Sequence, residues 1–282
     1  GQRQAEEDRE DDEGFAHAPM IAAAPHPDPA MSLVETLVHG HVTELRLARA
    51  PVNALNPELC NDLSNALAGA VANGAGGIVL SGGPKVFSAG LDVPYLLSLG
   101  DDQAALLRAW TAFFDAARAL LESPVPVVAA LAGHSPAGGC VLALCCDYRI
   151  MAEGPYRIGL NETQVGLVAP EGIQALMARV VGPHRAERLL VAGAMPDAAE
   201  ALRIGLVDEL TGIDEVAIRA RAWLEELLQL PRTPMLETRR IARADAVDCL
   251  REARIDLPRF VGGWMQPDTQ AALRAMLARI GK

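Results

Sequence analysis

Three segments hold residues whose types and order could carry chemistry. The first is Gly133-His134-Ser135-Pro136-Ala137, a serine placed after a buried-strand pattern and before a helix, as a nucleophile elbow would be. The residue after such a serine must give its backbone N–H to the oxyanion, and Pro136 has none. The triad order would also need an acid and then a histidine downstream, where only His184 stands. Read as backbone instead, Pro136-Ala137-Gly138-Gly139 offers bare N–H groups at a helix start, which can stabilise a carbonyl oxygen that is becoming an oxyanion. A tight turn needing glycine accounts for the same pair.

The second segment, Phe87-Ser88-Ala89-Gly90-Leu91-Asp92, also follows a buried strand and precedes helical text, and by itself is equally a loop. One backbone donor from each of two such turns is what a thioester oxyanion requires. The third segment is Ile158-Gly159-Leu160-Asn161-Glu162-Thr163-Gln164-Val165-Gly166. Apolar neighbours around Glu162 would raise its proton affinity and suit it to removing a proton from carbon. An exposed or capping glutamate explains that spacing as well.

The elements that must position these segments alternate. Residues 33–38 and 41–47 flank Gly40 as a hairpin, and 57–73 carries Leu59, Leu63, Leu67 and Val71 at helical spacing. Residues 77–80 follow as a buried strand, 101–122 as a helix, 125–131 as a strand, 138–146 as a small-residue helix and 148–152 as a strand. Continuous apolar strands between helices predict an α/β class with a covered sheet. Beyond Glu171 the text reads as helices over 172–181, 184–191, 197–203, 214–228, 233–254 and 268–280, with one strand at 206–209. Trp110, Phe113 and Phe114 have helical spacing that suits core or a tunnel wall. Asp147 and Arg149 flank a strand as a structural pair, Lys85 reads as a solvated loop lysine, His134 as a structural histidine and Glu171 as a helix-start charge.

The chain of 282 residues has a formal charge of −11. Residues 1–30 contain eight acids and two arginines and read as a disordered tail, leaving 23 basic against 28 acidic residues for the rest. No basic block appears, which argues against nucleic acid. No apolar run approaches the roughly 18 to 20 residues of a membrane span. Five cysteines without a C-x-x-C pair suit a reducing, cytoplasmic setting.

Taken together, Phe87 to Asp92, Pro136-Ala137-Gly138-Gly139-Cys140, Cys146-Asp147-Tyr148-Arg149-Ile150 and Ile158 to Gln164 resemble the crotonase (enoyl-CoA hydratase/isomerase) superfamily. Within it they are most like the mitochondrial-type Δ3,Δ2-enoyl-CoA isomerases. The likeness runs from about Leu33 to the C-terminus and is densest from Phe87 to Gly166.

The resemblance implies a crotonase-like spiral of ββα units over 31–210 and a helical trimerisation region over 211–282. It further implies a homotrimer or dimer of trimers, an acyl-CoA substrate, and no metal or resident cofactor, CoA being part of the substrate. By motif position, the oxyanion donors fall on the N–H groups of Leu91 and Gly138, and the catalytic glutamate on Glu162. Ser88, Ala89, Gly90, Asp92, Val93 and Asn161 fall where the substrate binds. Family hydratases carry a glutamate directly after Gly-Gly-Cys, and here that position is Val141, which cannot hold or deprotonate water. The implied reaction is therefore the 3-enoyl-CoA to trans-2-enoyl-CoA isomerisation of fatty acid β-oxidation. Hydration or thioester hydrolysis through Glu171, and a non-catalytic CoA-binding scaffold, are the alternatives.

Overall fold

The computed structural model describes residues 32–279, and the expected tail over 1–30 lies outside them. Strands β1 (Val34–His39) and β2 (Val42–Leu47) pair antiparallel around Gly40. Helix α1 (Pro57–Ala72) starts at Asn56, whose side chain accepts from the Leu59 N–H, and buries Leu59, Leu63 and Leu67. Strand β3 (Gly77–Ser81) leads through the short α2 (Val93–Ser98) to α3 (Gln103–Leu121) and β4 (Val127–Leu131). Next come β5 (Ser135–Pro136), α4 (Gly138–Leu144), β6 (Tyr148–Ala152) and β7 (Ile158–Gly159). The remainder is α5 (Glu171–Val181), α6 (Pro183–Ala192), α7 (Ala198–Arg203), β8 (Glu209–Thr211), α8 (Val216–Leu227), α9 (Arg232–Ala242), α10 (Ala244–Cys249), α11 (Leu257–Trp264) and α12 (Pro267–Arg279).

The main sheet has the order β1-β2-β3-β4-β6-β8 and is parallel from β2 onward, while β5 and β7 pair separately. Every residue of β3 and β4 is buried, so both faces of the sheet are covered, as in the expected α/β class. The two-residue period sorts them. Leu45, Ile78, Leu80, Ala129 and Met151 face the large core, whereas Val79, Val128, Ala130 and Ile150 face Ala220 and Leu224 of α8. Among the described residues no helix is long and apolar enough to cross a membrane.

Three expectations need correction. The helix read over 233–254 breaks at Arg243 and again after Cys249. Arg243 turns inward to donate to the carbonyls of Cys145 and Cys146 beyond α4, and α10 seats so tightly on α5 that a Cβ at Gly172 would lie 1.9 Å from the Cys249 carbonyl oxygen. The strand read at 206–209 begins only at Glu209, because Leu206 closes α7 through its N–H to Ala201 and gives its carbonyl to Arg149. Finally, Asp147 and Arg149 do not pair with each other. Asp147 takes Arg239 and Arg243, and Arg149 takes Asp208.

Candidate active site

Two turns and a strap, residues 53–55, build the first wall of the site. In the 87–92 turn, Leu55 and Leu91 form an isolated parallel bridge in which the Leu55 N–H donates to Gly90 and the Asp92 N–H donates to Leu55. Successive backbone groups of an extended chain point to opposite sides, so the Leu91 N–H faces away from this strap. Among the described residues it donates to no acceptor. In the second turn, the Ala137 N–H is held by the Gly159 carbonyl at 2.8 Å. Ala137 then takes φ 46°, ψ −118°, a region that side chains other than glycine rarely adopt and that costs about 1 to 3 kcal/mol. That reversal opens α4 at Gly138, whose N–H likewise has no acceptor among the described residues.

Glycine is required where the turns meet. A Cβ on Gly90, at φ 80°, would lie 3.2 Å from the Gly138 nitrogen, and one on Gly139 only 2.7 Å from the Ser88 carbonyl oxygen. The turns therefore touch, and Leu91 and Gly138 share one cavity of about 500 Å³ with Glu162. This is an ordinary size for a small-molecule site.

Glu162 stands at the start of a 3₁₀ turn, Glu162–Val165, which Gly166 ends in the left-handed region. The turn is pinned from outside: Gln164 Nε2 donates to the Gly193 carbonyl at 2.8 Å, and Thr269 of α12 donates to the Gly166 carbonyl at 2.8 Å. Glu162 Oε2 is buried without a hydrogen-bond partner, as is Asn161 Oδ1 beside it. Burial raises the Glu162 pKa from 4.5 to about 7, its own backbone N–H acting in the opposite direction. The other carboxylate on the cavity wall, Asp92, is held by Arg49 at 2.6 Å. The arrangement therefore puts two N–H groups without acceptors among the described residues, which could take up a carbonyl oxygen, in one cavity with one carboxylate base that has no counter-charge there.

Of the residues singled out from sequence, Ala89, Leu91, Asp92, Val93, Gly138, Asn161 and Glu162 lie on this wall, and so does Val141. Ser88 and Gly90 stand behind it: the Ser88 hydroxyl donates to Asn53 and accepts from the Gly90 N–H, shaping the turn. Glu171 is exposed in the first turn of α5 and is not on the wall, Lys85 is exposed, and His134 accepts from the Arg157 N–H elsewhere. Trp110 and Phe113 are buried and line the cavity with Phe114.

Sequence reasoning missed the strap and α11. The strap includes Asn53, whose side chain donates to the Phe87 carbonyl from a backbone at φ 49°. Helix α11 brings Phe260 edge-on to Trp110 at 4.4 Å, and Trp264 at 6.0 Å. Only Asp256, which caps the helix, and Pro258 in its first turn could have signalled it.

Residues 38–255 match the family model described as enoyl-CoA hydratase/isomerase. The chain is 34% identical over 252 residues to the mouse protein called enoyl-CoA delta isomerase 1, mitochondrial, covering 88% of this chain and 86% of that one. It is also 34% identical over 196 residues to a probable enoyl-CoA hydratase, EchA17, of Mycobacterium tuberculosis, covering 66% of this chain and 71% of that one. The crystal structure of human mitochondrial delta3-delta2-enoyl-CoA isomerase superposes with a TM-score of 0.82 at 32% identity, covering 88% of this chain and 98% of that one.

Proposed function

The chain belongs to the enoyl-CoA hydratase/isomerase family, and from that premise we propose that it moves the double bond of a 3-enoyl-CoA to give the trans-2-enoyl-CoA. The observation that carries this reading is that Glu162 is the one wall carboxylate without a counter-charge among the described residues; Val141, on the same wall, stands where by the resemblance family hydratases carry a second. The thioester oxygen accepts from the N–H groups of Leu91 and Gly138, which makes the C2 proton acidic. Glu162 takes that proton. The charge spreads over a dienolate whose oxygen keeps both hydrogen bonds, and loss of one such donor typically costs about 3 kcal/mol. Glu162 then returns the proton at C4, both carbons lying on one face of a planar intermediate. The balance needs no water and no co-reactant, because one C–H bond breaks and another forms.

The mouse relative named as an isomerase supports the reading, whereas the mycobacterial one named as a probable hydratase supports the family alone. Hydration calls for a group that positions and deprotonates water, and Glu171, the residue considered for it, is off the wall. The test is turnover of trans-3-hexenoyl-CoA by wild type and Glu162→Gln. The variant is expected to lose about 10³-fold in kcat with its fold intact. A variant that keeps wild-type turnover would overturn the assignment of the base.

A further inference from the structure

Arg49 has no part in the proton transfer, yet it holds both segments that frame one of the donors. Its Nη1 donates to the Ala54 carbonyl at 2.8 Å, and its Nη2 meets Asp92 Oδ2 at 2.6 Å. Ala54 immediately precedes Leu55, whose N–H and carbonyl clasp Gly90 and Asp92 on either side of Leu91. The other oxygen of Asp92, Oδ1, accepts from the Tyr95 N–H and so starts α2. Residue 91 is thus fixed through 54–55 on one side and through the Asp92 carboxylate on the other, with a single guanidinium joining the two. Asp92 is 8% exposed, so without Arg49 its charge would be left nearly buried and unpaired.

We propose that Arg49 is a positioning residue that aims the Leu91 N–H at the substrate's thioester oxygen by bridging Ala54 and Asp92. This rests on the reading of Leu91 as an oxyanion donor. A planar fork suits the task because two N–H groups in fixed relation reach two acceptors at once, which an ammonium on a flexible stem does poorly. A donor misaimed by about 1 Å can cost on the order of 10²-fold in rate.

The experiment uses the full chain as wild type, Arg49→Met and Arg49→Lys. Steady-state turnover of trans-3-hexenoyl-CoA is measured for each. The carbonyl stretch of bound hexanoyl-CoA, saturated and labelled with carbon-13 at the thioester carbonyl, is read by isotope-edited infrared difference spectroscopy. Wild type is expected to shift that stretch to lower frequency than in water, as two strong donors would. Arg49→Met is expected to lose about 10- to 100-fold in kcat with KM changed less than about threefold, and to lose part of the shift. Arg49→Lys should recover some of each.

An Arg49→Met protein with the full wild-type shift would overturn the proposal whatever its kcat, since the donor would still be aimed. The same holds for Arg49→Lys if Arg49→Met fails to fold. A wild type that shows no shift would instead overturn the donor reading itself, before any variant is compared.

Discussion

A base that must take a proton from carbon near neutral pH works best when its own proton affinity is close to the ambient pH, and burial without a partner gives Glu162 that property. Two consequences follow from its pKa of about 7. The base is active when deprotonated, so kcat/KM should fall as pH drops through about 7, and a profile flat from pH 5.5 to 8.5 would contradict it. The same shift makes the residue a burden on stability. Between 4.5 and about 7 the folded protein holds a proton that the unfolded chain has released, so stability declines as pH rises through that window. Glu162→Gln is therefore expected to be more stable than wild type at pH 8, by up to about 3 kcal/mol, with the gain shrinking towards pH 5. Thermal unfolding at the two pH values checks this, and a variant no more stable at pH 8 would show that the carboxylate is solvated. Glu162 could be singled out from sequence through the resemblance that Ile158 to Gln164 carries, since its spacing alone fits an exposed or capping glutamate equally well. Arg49 and Asn53 were not, because Arg49 reaches Asp92 43 positions away and Asn53 meets Phe87 and Ser88 34 and 35 positions away, and nothing local marks them.

Elements place these groups through close backbone approach. Gly139 lets α4 come within reach of the 87–92 turn, and Gly139→Ala should force the turns apart against the Ser88 carbonyl, lowering kcat about 10²-fold with KM less affected. Equal kcat would mean that the turns can separate without harm. On the opposite wall, α12 is tied to the Glu162 turn by Thr269. Thr269→Val should cost about 1 kcal/mol and lower Tm by about 2 to 4 °C, a loss visible by calorimetry. Apart from the short α2 and β5, the alternating strands and helices up to β6 were legible because each apolar run has one place to go. The C-terminal half was less so: helices continuous in propensity are cut where docking demands it, at Arg243 for example. Helix α11, with Gly262 and Gly263 inside it, owes its existence to Val261 and Trp264 being buried against the core.

At the scale of the molecule, the resemblance implies a trimer or dimer of trimers. Helix α9 has no buried residue, and Leu230 and Ile241 near its ends are 52% and 62% exposed, surface that association would cover. Light scattering is expected to give three or six times the chain mass of 29.8 kDa, and a monomer at micromolar concentration would contradict it. The acidic segment over 1–30 contributes more than half of the net charge and would repel CoA phosphates. Its deletion should leave KM unchanged or lower.

The central claim is that one carboxylate acts without a second to handle water. Its most direct test offers trans-3-hexenoyl-CoA and crotonyl-CoA separately to the wild-type protein and resolves isomerised from hydrated products by chromatography. Rapid formation of trans-2-hexenoyl-CoA with little 3-hydroxybutyryl-CoA is the predicted result. Hydration of crotonyl-CoA at a rate comparable to isomerisation would contradict it, and would require a water-activating group that the cavity wall around Val141 does not offer among the described residues.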